Sequence, residues 1–119
     1  MHGKNAFSLR VDVKGQVVTI HTTGPLSEDA GNQLVVVAQE KLDAGFTRFI
    51  IDFGHALTIS SPSVAAILDT AEKIVDGKGG KLVVSGLTDL NMKVFEMVGI
   101  FLYAEACPTT QEAEVQVLL

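Results

Sequence analysis

Three serines grouped around a proline are the side chains best placed to do chemistry in this sequence. Ser60, Ser61 and Ser63 flank Pro62 at the start of a segment whose apolar residues recur with helical spacing. The N-terminus of a helix presents free backbone N–H groups and the positive end of the helix dipole, so it can receive a phosphate or a carboxylate. Pro62 suits the first helical position, which makes Ser61 the predicted N-cap. Capping alone would explain Ser61, and a binding or modification site is the alternative.

Asp52, His55 and Ser61 are residue types that could combine in acid–base or nucleophilic catalysis. However, Ser61 lacks the flanking glycines of a nucleophile elbow, and no motif for stabilising an oxyanion accompanies it. We therefore predict no catalytic residues and no enzymatic activity.

No metal or cofactor site is predicted. Cys107 has no cysteine partner, so we expect an unreactive, semi-buried thiol. The segment Gly77-Lys78-Gly79-Gly80 superficially resembles a phosphate loop. It lacks a serine or threonine after the lysine and follows a helix, so a turn is predicted instead. The three histidines, which lack the spacing of metal ligands, are His2, His21 and His55.

The composition indicates one acidic domain. The 119 residues, of which 47% are hydrophobic, suit a single domain spanning 1–119 with one packed core. The net charge of −5 disfavours binding to nucleic acid or to an anionic membrane surface. The sequence has no apolar run of signal-peptide or membrane-spanning length, and a single cysteine suits a reducing compartment. We therefore expect a cytoplasmic protein without direct membrane insertion.

Hydrophobic periodicity predicts the element order β-β-α-β-α-β-α-β-α. Alternation over 7–13 and a β-rich run over 17–22 predict a hairpin that turns at Lys14-Gly15. Gly24-Pro25 is expected to interrupt the chain after the second strand. A strand over 46–53 follows, and the next residues form either a loop or a short extension of it.

Four helices are predicted. Ser27 caps the first, although its β-branched run over 34–37 also allows a strand. The clearest helix covers 62–76, and Thr88 and Thr109 are expected to cap the last two. The residues of 62–76 predicted to face the core are Val64, Ile67, Leu68, Ala71 and Ile74.

The alternation of strands and helices indicates the fold class. Short apolar runs over 81–85 and 101–106 complete the strands. After the hairpin, each strand is followed by a helix, which implies right-handed crossovers between parallel strands. The predicted fold is α/β, with a mixed four- to five-stranded sheet and about four helices on one or both faces.

The segment from Ile51-Asp52-Phe53 through Ile59-Ser60-Ser61 to Leu68 resembles the signature region of the STAS domain family, whose members include anti-sigma factor antagonists. In that family a strand ending in Asp and an apolar residue leads through a loop to a pair of hydroxyl residues and an amphipathic helix. Gly79-Gly80 and the apolar stretch 94–100 are also similar to family features. The element order matches over almost the whole chain, so a single STAS-like domain is expected.

The resemblance implies a bacterial regulatory module that binds a protein partner, an anti-sigma factor or serine kinase. In the antagonist branch, the kinase phosphorylates a serine at the position of Ser61, and the unphosphorylated antagonist binds the kinase and frees the sigma factor. Ser61 is thus the implied phosphorylation site. The implied partner-binding residues are Ser60, Ser61, Pro62 and Ser63, and no cofactor is implied.

The sequence departs from the family pattern at three of these positions. Ser60 replaces an acidic residue, Pro62 stands where the family usually has serine, threonine or alanine, and Ser63 replaces the usual glycine. The missing acidic residue and the added proline change the sequence around Ser61 that a kinase would recognise. This change slightly favours an alternative function. In that alternative, the chain is a constitutive STAS subunit of a larger assembly, such as a phospholipid-transport ABC system or a sensory scaffold.

A small-molecule sensor is a third and weaker hypothesis. The sequence leaves the oligomeric state open, with a homodimer among the arrangements that it allows.

Overall fold

The computed structural model describes residues 6–119, which form a mixed five-stranded sheet with four α-helices. The strands are β1 (Ser8–Lys14), β2 (Val17–Leu26), β3 (Arg48–Ile59), β4 (Lys81–Ser85) and β5 (Ala104–Cys107). The helices are α1 (Glu28–Asp43), α2 (Ser61–Glu72), α3 (Asp89–Val98) and α4 (Thr110–Gln116). The strands lie in chain order, with β1 antiparallel to β2 and all later neighbours parallel. The predicted fold class and element order are confirmed.

Gly15 allows the tight turn between β1 and β2. Lys14 pairs with Val17, so the loop consists only of Gly15 and Gln16. Gly15 has a φ of +59°, and every residue with a positive φ among the described residues is a glycine. A glycine at the first loop position and a negative φ at the second are the features of a type II′ turn, whose twist matches that of the flanking strands. This turn fixes the register of the hairpin.

The main core lies between one face of the sheet and helices α1, α2 and α3. Helix α2 buries Val64, Ile67 and Ala71 there, and Ile74 follows in a π-helical turn over Lys73–Gly77. Leu68 is only half-buried and packs at the edge of this core. The predicted core face of the helix is confirmed at the other four positions. Alternate strand residues that are fully buried on this face include Val18, Ile20, Phe49, Ile51, Leu82 and Val84.

Helix α4 covers part of the opposite face of the sheet. Its Ala113 and the adjacent Val117 pack on Val17, Ile50 and Val83, one residue from each of three neighbouring strands. This second, smaller cluster explains why the central strands are apolar on both faces.

One expected interruption of the chain is absent, and the structure decides two alternatives that the sequence left open. Gly24-Pro25 does not end β2, which continues to Leu26 with irregular pairing to β3 around these residues. Strand β3 runs on to Ile59, so the extension rather than the loop is confirmed. The β-branched run over 34–37 lies within α1, which settles that alternative as helical. The final strand is shorter than predicted because a 3₁₀ turn over Ile100–Leu102 precedes it.

No helix among residues 6–119 has the length and apolar character needed to cross a lipid bilayer.

Candidate functional site

Ser60, rather than Ser61, caps helix α2. The backbone of Ser60 is extended, and its Oγ accepts a hydrogen bond of 3.2 Å from the Ser63 N–H. The Ser60 N–H donates to the carbonyl oxygen of Leu26 at 2.9 Å, which ties the end of β3 to the end of β2. The predicted N-cap was therefore wrong by one residue. Pro62 occupies the second helical position, where a missing N–H is also tolerated.

Ser63 points into the protein. Its side chain is fully buried, and its Oγ lies 2.9 Å from the carbonyl oxygen of Leu26 and 2.5 Å from that of Ser27. A hydroxyl has a single proton, so it is shared between these two acceptors. The implied partner-binding residue Ser63 is thus buried in this structure, where its hydroxyl holds the start of α2 against the strand-to-helix turn before α1.

Gly31 allows α1 to approach the start of α2. A Cβ atom on Gly31 would lie 2.9 Å from Ser63 Oγ and 3.0 Å from Ser63 Cα. It would also lie 3.3 Å from the Cβ of Ala66, one turn further along α2. A glycine at this position therefore sets the spacing of the two helices that position the serines.

Ser61 and Pro62 are exposed at the tip of this arrangement. Pro62 has no N–H, and the Ser63 N–H is already bonded to Ser60 Oγ. The Ser60 N–H is bonded to Leu26, so among the described residues the helix start retains only the N–H of Ser61 for an external acceptor. The site is thus poorer in free N–H donors than a helix N-terminus ordinarily is.

An apolar groove adjoins Ser61. It has a volume of about 240 Å³ and lies between α2 and α3. Helix α3 also carries two exposed apolar side chains at helical spacing from the groove residue Val94, with Leu90 70% and Met97 84% exposed. Clusters of large, exposed apolar side chains are uncommon on soluble proteins, and they mark contact surfaces. The groove is lined by Ser61, Val64, Ala65, Leu68, Val94 and Val98.

A second polar cluster, which sequence reasoning missed, lies on the face of the sheet that α4 partly covers. His21 Nδ1 is 2.8 Å from Asp52 Oδ2, and His21 Nε2 is 3.1 Å from Asp12 Oδ2. Asp12, His21 and Asp52 come from the neighbouring strands β1, β2 and β3. In the sheet register His21 lies opposite Asp52 of β3 and opposite Arg10 of β1, two residues from Asp12. The only signal in the sequence was a polar residue on each of three predicted strands, and their lateral register is not readable from it.

The carboxyl group of Asp52 has a lowered pKa. Burial would raise the pKa, but this effect is outweighed by the Gly54 N–H, which donates to Asp52 Oδ1 at 2.8 Å, and by the hydrogen bond and charge of His21. His55 adds a smaller electrostatic contribution in the same direction. Asp52 therefore stabilises the junction of β2 and β3 as a carboxylate.

Asp52, His55 and Ser61 do not form a catalytic arrangement through hydrogen bonds. Asp52 bonds to His21 and Gly54, and among residues 6–119 no hydrogen bond joins Ser61 to Asp52 or to His55. His55 is exposed on the outer part of β3.

Cys107 is half-buried at the end of β5. Burial raises the pKa of its thiol, and Glu112 and Glu105 raise it further, while Lys81 acts in the opposite direction. A raised thiol pKa means less thiolate at neutral pH, as expected of an unreactive cysteine. In the described part of the chain, no cluster of three or more His, Cys, Asp or Glu side chains could hold a metal ion, and His2 lies outside that part.

Comparison with models of known protein families gives no match, and comparison with curated protein sequences gives none either. Solved structures do match. An anti-sigma factor antagonist from Mycobacterium paratuberculosis superposes with a TM-score of 0.84 at 15% identity, covering 100% of both chains. The Bacillus cell fate determinant SpoIIAA in its phosphorylated form gives 0.73 at 23% identity, covering 94% of this chain and 99% of that one.

An anti-sigma factor antagonist (STAS) domain protein from Planctomyces limnophilus gives a TM-score of 0.74 at 17% identity, covering 92% of this chain and 96% of that one. The chain therefore has a STAS-like fold over nearly its full length, as its signature region predicted.

Proposed function

We propose that this protein is a bacterial regulatory module, not an enzyme, that binds an anti-sigma factor or serine kinase and is switched by phosphorylation of Ser61. The observation that carries the proposal is that Ser61 is exposed and lines an apolar groove between α2 and α3. A kinase needs an accessible hydroxyl, and a partner needs an apolar surface to bury. Proteins of the same fold include the anti-sigma factor antagonist SpoIIAA, whose structure is known in a phosphorylated and an unphosphorylated form. We place this activity in the cytoplasm.

The contact surface in this proposal differs from the one that the sequence implied. Ser60, Ser61 and Pro62 remain at its centre, and Ser63 is replaced by the groove residues Leu68 and Val98. Ser61 is the only member of the serine cluster that neither caps α2 nor is buried within it.

A phosphate on Ser61 would act on binding rather than on folding. It adds about −1.5 to −2 charges, which the positive end of the α2 dipole tolerates. Because the helix start offers only the Ser61 N–H, the phosphate would find few backbone donors and would remain directed at the partner surface. Burying that charge against apolar side chains is costly, so the partner would be released.

The test measures affinity for an anti-sigma factor or serine kinase captured from the native cell and identified by mass spectrometry. We expect Ser61→Asp to weaken binding by about tenfold or more, which corresponds to about 1.4 kcal/mol. Ser61→Ala should bind like the wild type, because Ser60 rather than Ser61 is the cap. The captured kinase with ATP should place phosphate on Ser61.

Thr109→Asp is the matched control. Thr109 is an exposed N-cap, so this change adds the same charge at a helix start while an aspartate still caps the helix. Helix α4 packs on the opposite face of the sheet, so binding should be unchanged. Equal binding by Ser61→Asp and the wild type, with no phosphate on Ser61 in cells, would contradict the switch.

The alternative of a constitutive subunit is favoured by one observation, the exposed apolar side chains Leu90 and Met97 on α3, the helix that forms one side of the groove. A permanent contact in a phospholipid-transport ABC system or a sensory scaffold would bury such a surface without needing a phosphate. In that case the captured partner is a permease, an ATPase or a scaffold protein, and no phosphate is found on Ser61.

A further inference from the structure

The outer edge of the sheet at β1 has no partner strand among the described residues. β1 is the first strand in the sheet order and pairs only with β2. Five of its seven residues are exposed, and Leu9 and Val11 are half-buried. An open strand edge presents unpaired N–H and C=O groups that another strand can bond.

The hairpin determines which backbone groups face outward. In an antiparallel pair, hydrogen-bonded residue pairs alternate with non-bonded ones. The two-residue turn closes at Lys14 and Val17, which makes that pair hydrogen-bonded. Counting back in steps of two, the residues of β1 that bond β2 are Lys14, Asp12, Arg10 and Ser8. The N–H and C=O groups of Leu9, Val11 and Val13 therefore point away from the sheet.

From this edge we infer that the chain forms a two-fold dimer, in which β1 pairs antiparallel with β1 of a second copy and Val11 lies opposite its own counterpart. Leu9 then bonds Val13 of the second copy, so all three outward-facing residues of each strand are hydrogen-bonded. On the main-core face, Leu9, Val11 and Val13 meet one another. Val13, which is 46% exposed in the single chain, would then be covered.

Charge selects this register over its neighbours. On the other face of β1, Arg10 and Asp12 are 68% and 51% exposed. With Val11 at the centre, each Arg10 lies opposite Asp12 of the second copy. The adjacent register centred on Arg10 places two arginines opposite each other. The register centred on Asp12 places two aspartates opposite each other and Arg10 opposite Lys14. Opposite charges directly across a strand pair stabilise it and like charges destabilise it.

Asp12 is already held in place for this contact. Its Oδ2 accepts hydrogen bonds from Arg10 Nη1 of the same strand at 2.9 Å and lies 3.1 Å from His21 Nε2. On dimer formation, the ion pair of Arg10 with Asp12 of its own strand is replaced by an ion pair with Asp12 of the second copy. The inference does not depend on the proposed function, since Ser61 and the groove lie on α2 and α3.

The experiment measures self-association of the full 119-residue chain by analytical ultracentrifugation over a concentration series. We expect the wild type to dimerise. Arg10→Asp places two carboxylates opposite each other in the homodimer and Asp12→Arg places two guanidinium groups there, so each variant alone should dimerise at least about tenfold more weakly. Mixed in equal amounts, the two variants should form a heterodimer, because each cross-strand pair then joins opposite charges.

Two further variants keep the test decisive. Lys93→Asp makes the same charge change on the exposed surface of α3 and should leave dimerisation unchanged. Val11→Pro removes an outward N–H without removing a bond to β2, so the fold should persist by circular dichroism while the dimer is lost. The inference would be overturned by a wild type that is monomeric at about 1 mM. It would also be overturned if either charge variant or Val11→Pro dimerised as strongly as the wild type, or if the mixed variants failed to associate. Ser61→Asp should leave dimerisation unchanged, which separates this test from that of the proposed function.

Discussion

At the residue scale, three neighbouring serines have three different roles. Ser60 caps α2, Ser61 is exposed, and Ser63 is buried against the turn that precedes α1. Because the other two hydroxyls are engaged with the backbone, Ser61 is the one of these three serines that we propose as the site of modification. The same reasoning assigns a structural role to the ionised carboxylate of Asp52, since its two oxygens bond Gly54 and His21.

The Asp52 carboxylate should make stability depend on pH. Its pKa in the folded state is lowered from 3.8, so its contribution is fully present above about 3.8 and is lost as the pH falls through the folded pKa. We expect Asp52→Asn to lower the free energy of unfolding by about 1–2 kcal/mol at pH 7, a charge-assisted hydrogen bond reduced by partial exposure. Urea denaturation should show this difference shrinking below pH 3.8.

Asp69→Asn is the control for this prediction. Asp69 pairs with Lys73 on the exposed surface of α2, where ion pairs contribute little. A loss at pH 7 as large as that of Asp52→Asn, or a difference for Asp52→Asn that does not change with pH, would contradict the assigned role of Asp52.

At the element scale, the contact of α1 with α2 places the candidate site. Gly31 lets the two helices approach, and Ser63 joins the start of α2 to the carbonyl groups of Leu26 and Ser27. Moving α1 outward would therefore also displace the residues that hold Ser61 in its exposed position.

Gly31→Ala should test this contact. Alanine favours a helix over glycine by about 1 kcal/mol, but its Cβ would lie 2.9 Å from Ser63 Oγ. We expect the strain to outweigh the helix preference, with a net loss of about 1–3 kcal/mol in urea denaturation and weaker partner binding. Gly77→Ala is the matched control, since a Cβ there approaches nothing closer than 4.0 Å and the change should be neutral or stabilising. Equal stabilities of the two variants would show that α1 and α2 are not tightly packed at Gly31.

At the scale of the whole molecule, one sheet carries both cores. The central strands bury residues on each face, under α1, α2 and α3 on one side and under α4 on the other. The same central strands therefore contribute residues to both cores, which couples the stability of one core to that of the other.

We therefore predict that the chain unfolds as a single domain. Urea denaturation followed by far-ultraviolet circular dichroism and by the fluorescence of Tyr103, the single tyrosine of the sequence, should give coincident transitions. Tyr103 lies just before β5, at the far edge of the sheet from β1. Two separated transitions would contradict a single domain over 1–119.

Much of the fold followed from local patterns in the sequence. Helix caps at Ser27, Thr88 and Thr109 were found from residue type and spacing alone, because a cap bonds an N–H only three residues away. The alternation of strands and helices then restricted the topology, since parallel neighbours require crossovers of fixed hand. These interactions join residues close in the chain, and the sequence displays them directly.

The candidate site depended more on tertiary structure. Which serine is exposed was decided by contacts between residues 37 and 36 positions apart, from Ser63 to Leu26 and Ser27. The cluster of Asp12, His21 and Asp52 depends on the lateral register of three strands, to which sequence spacing is blind. The sequence by itself determined the elements, their order and the STAS-like signature. Burial and register, which depend on how distant segments pack, decided which of its polar side chains remain free to act.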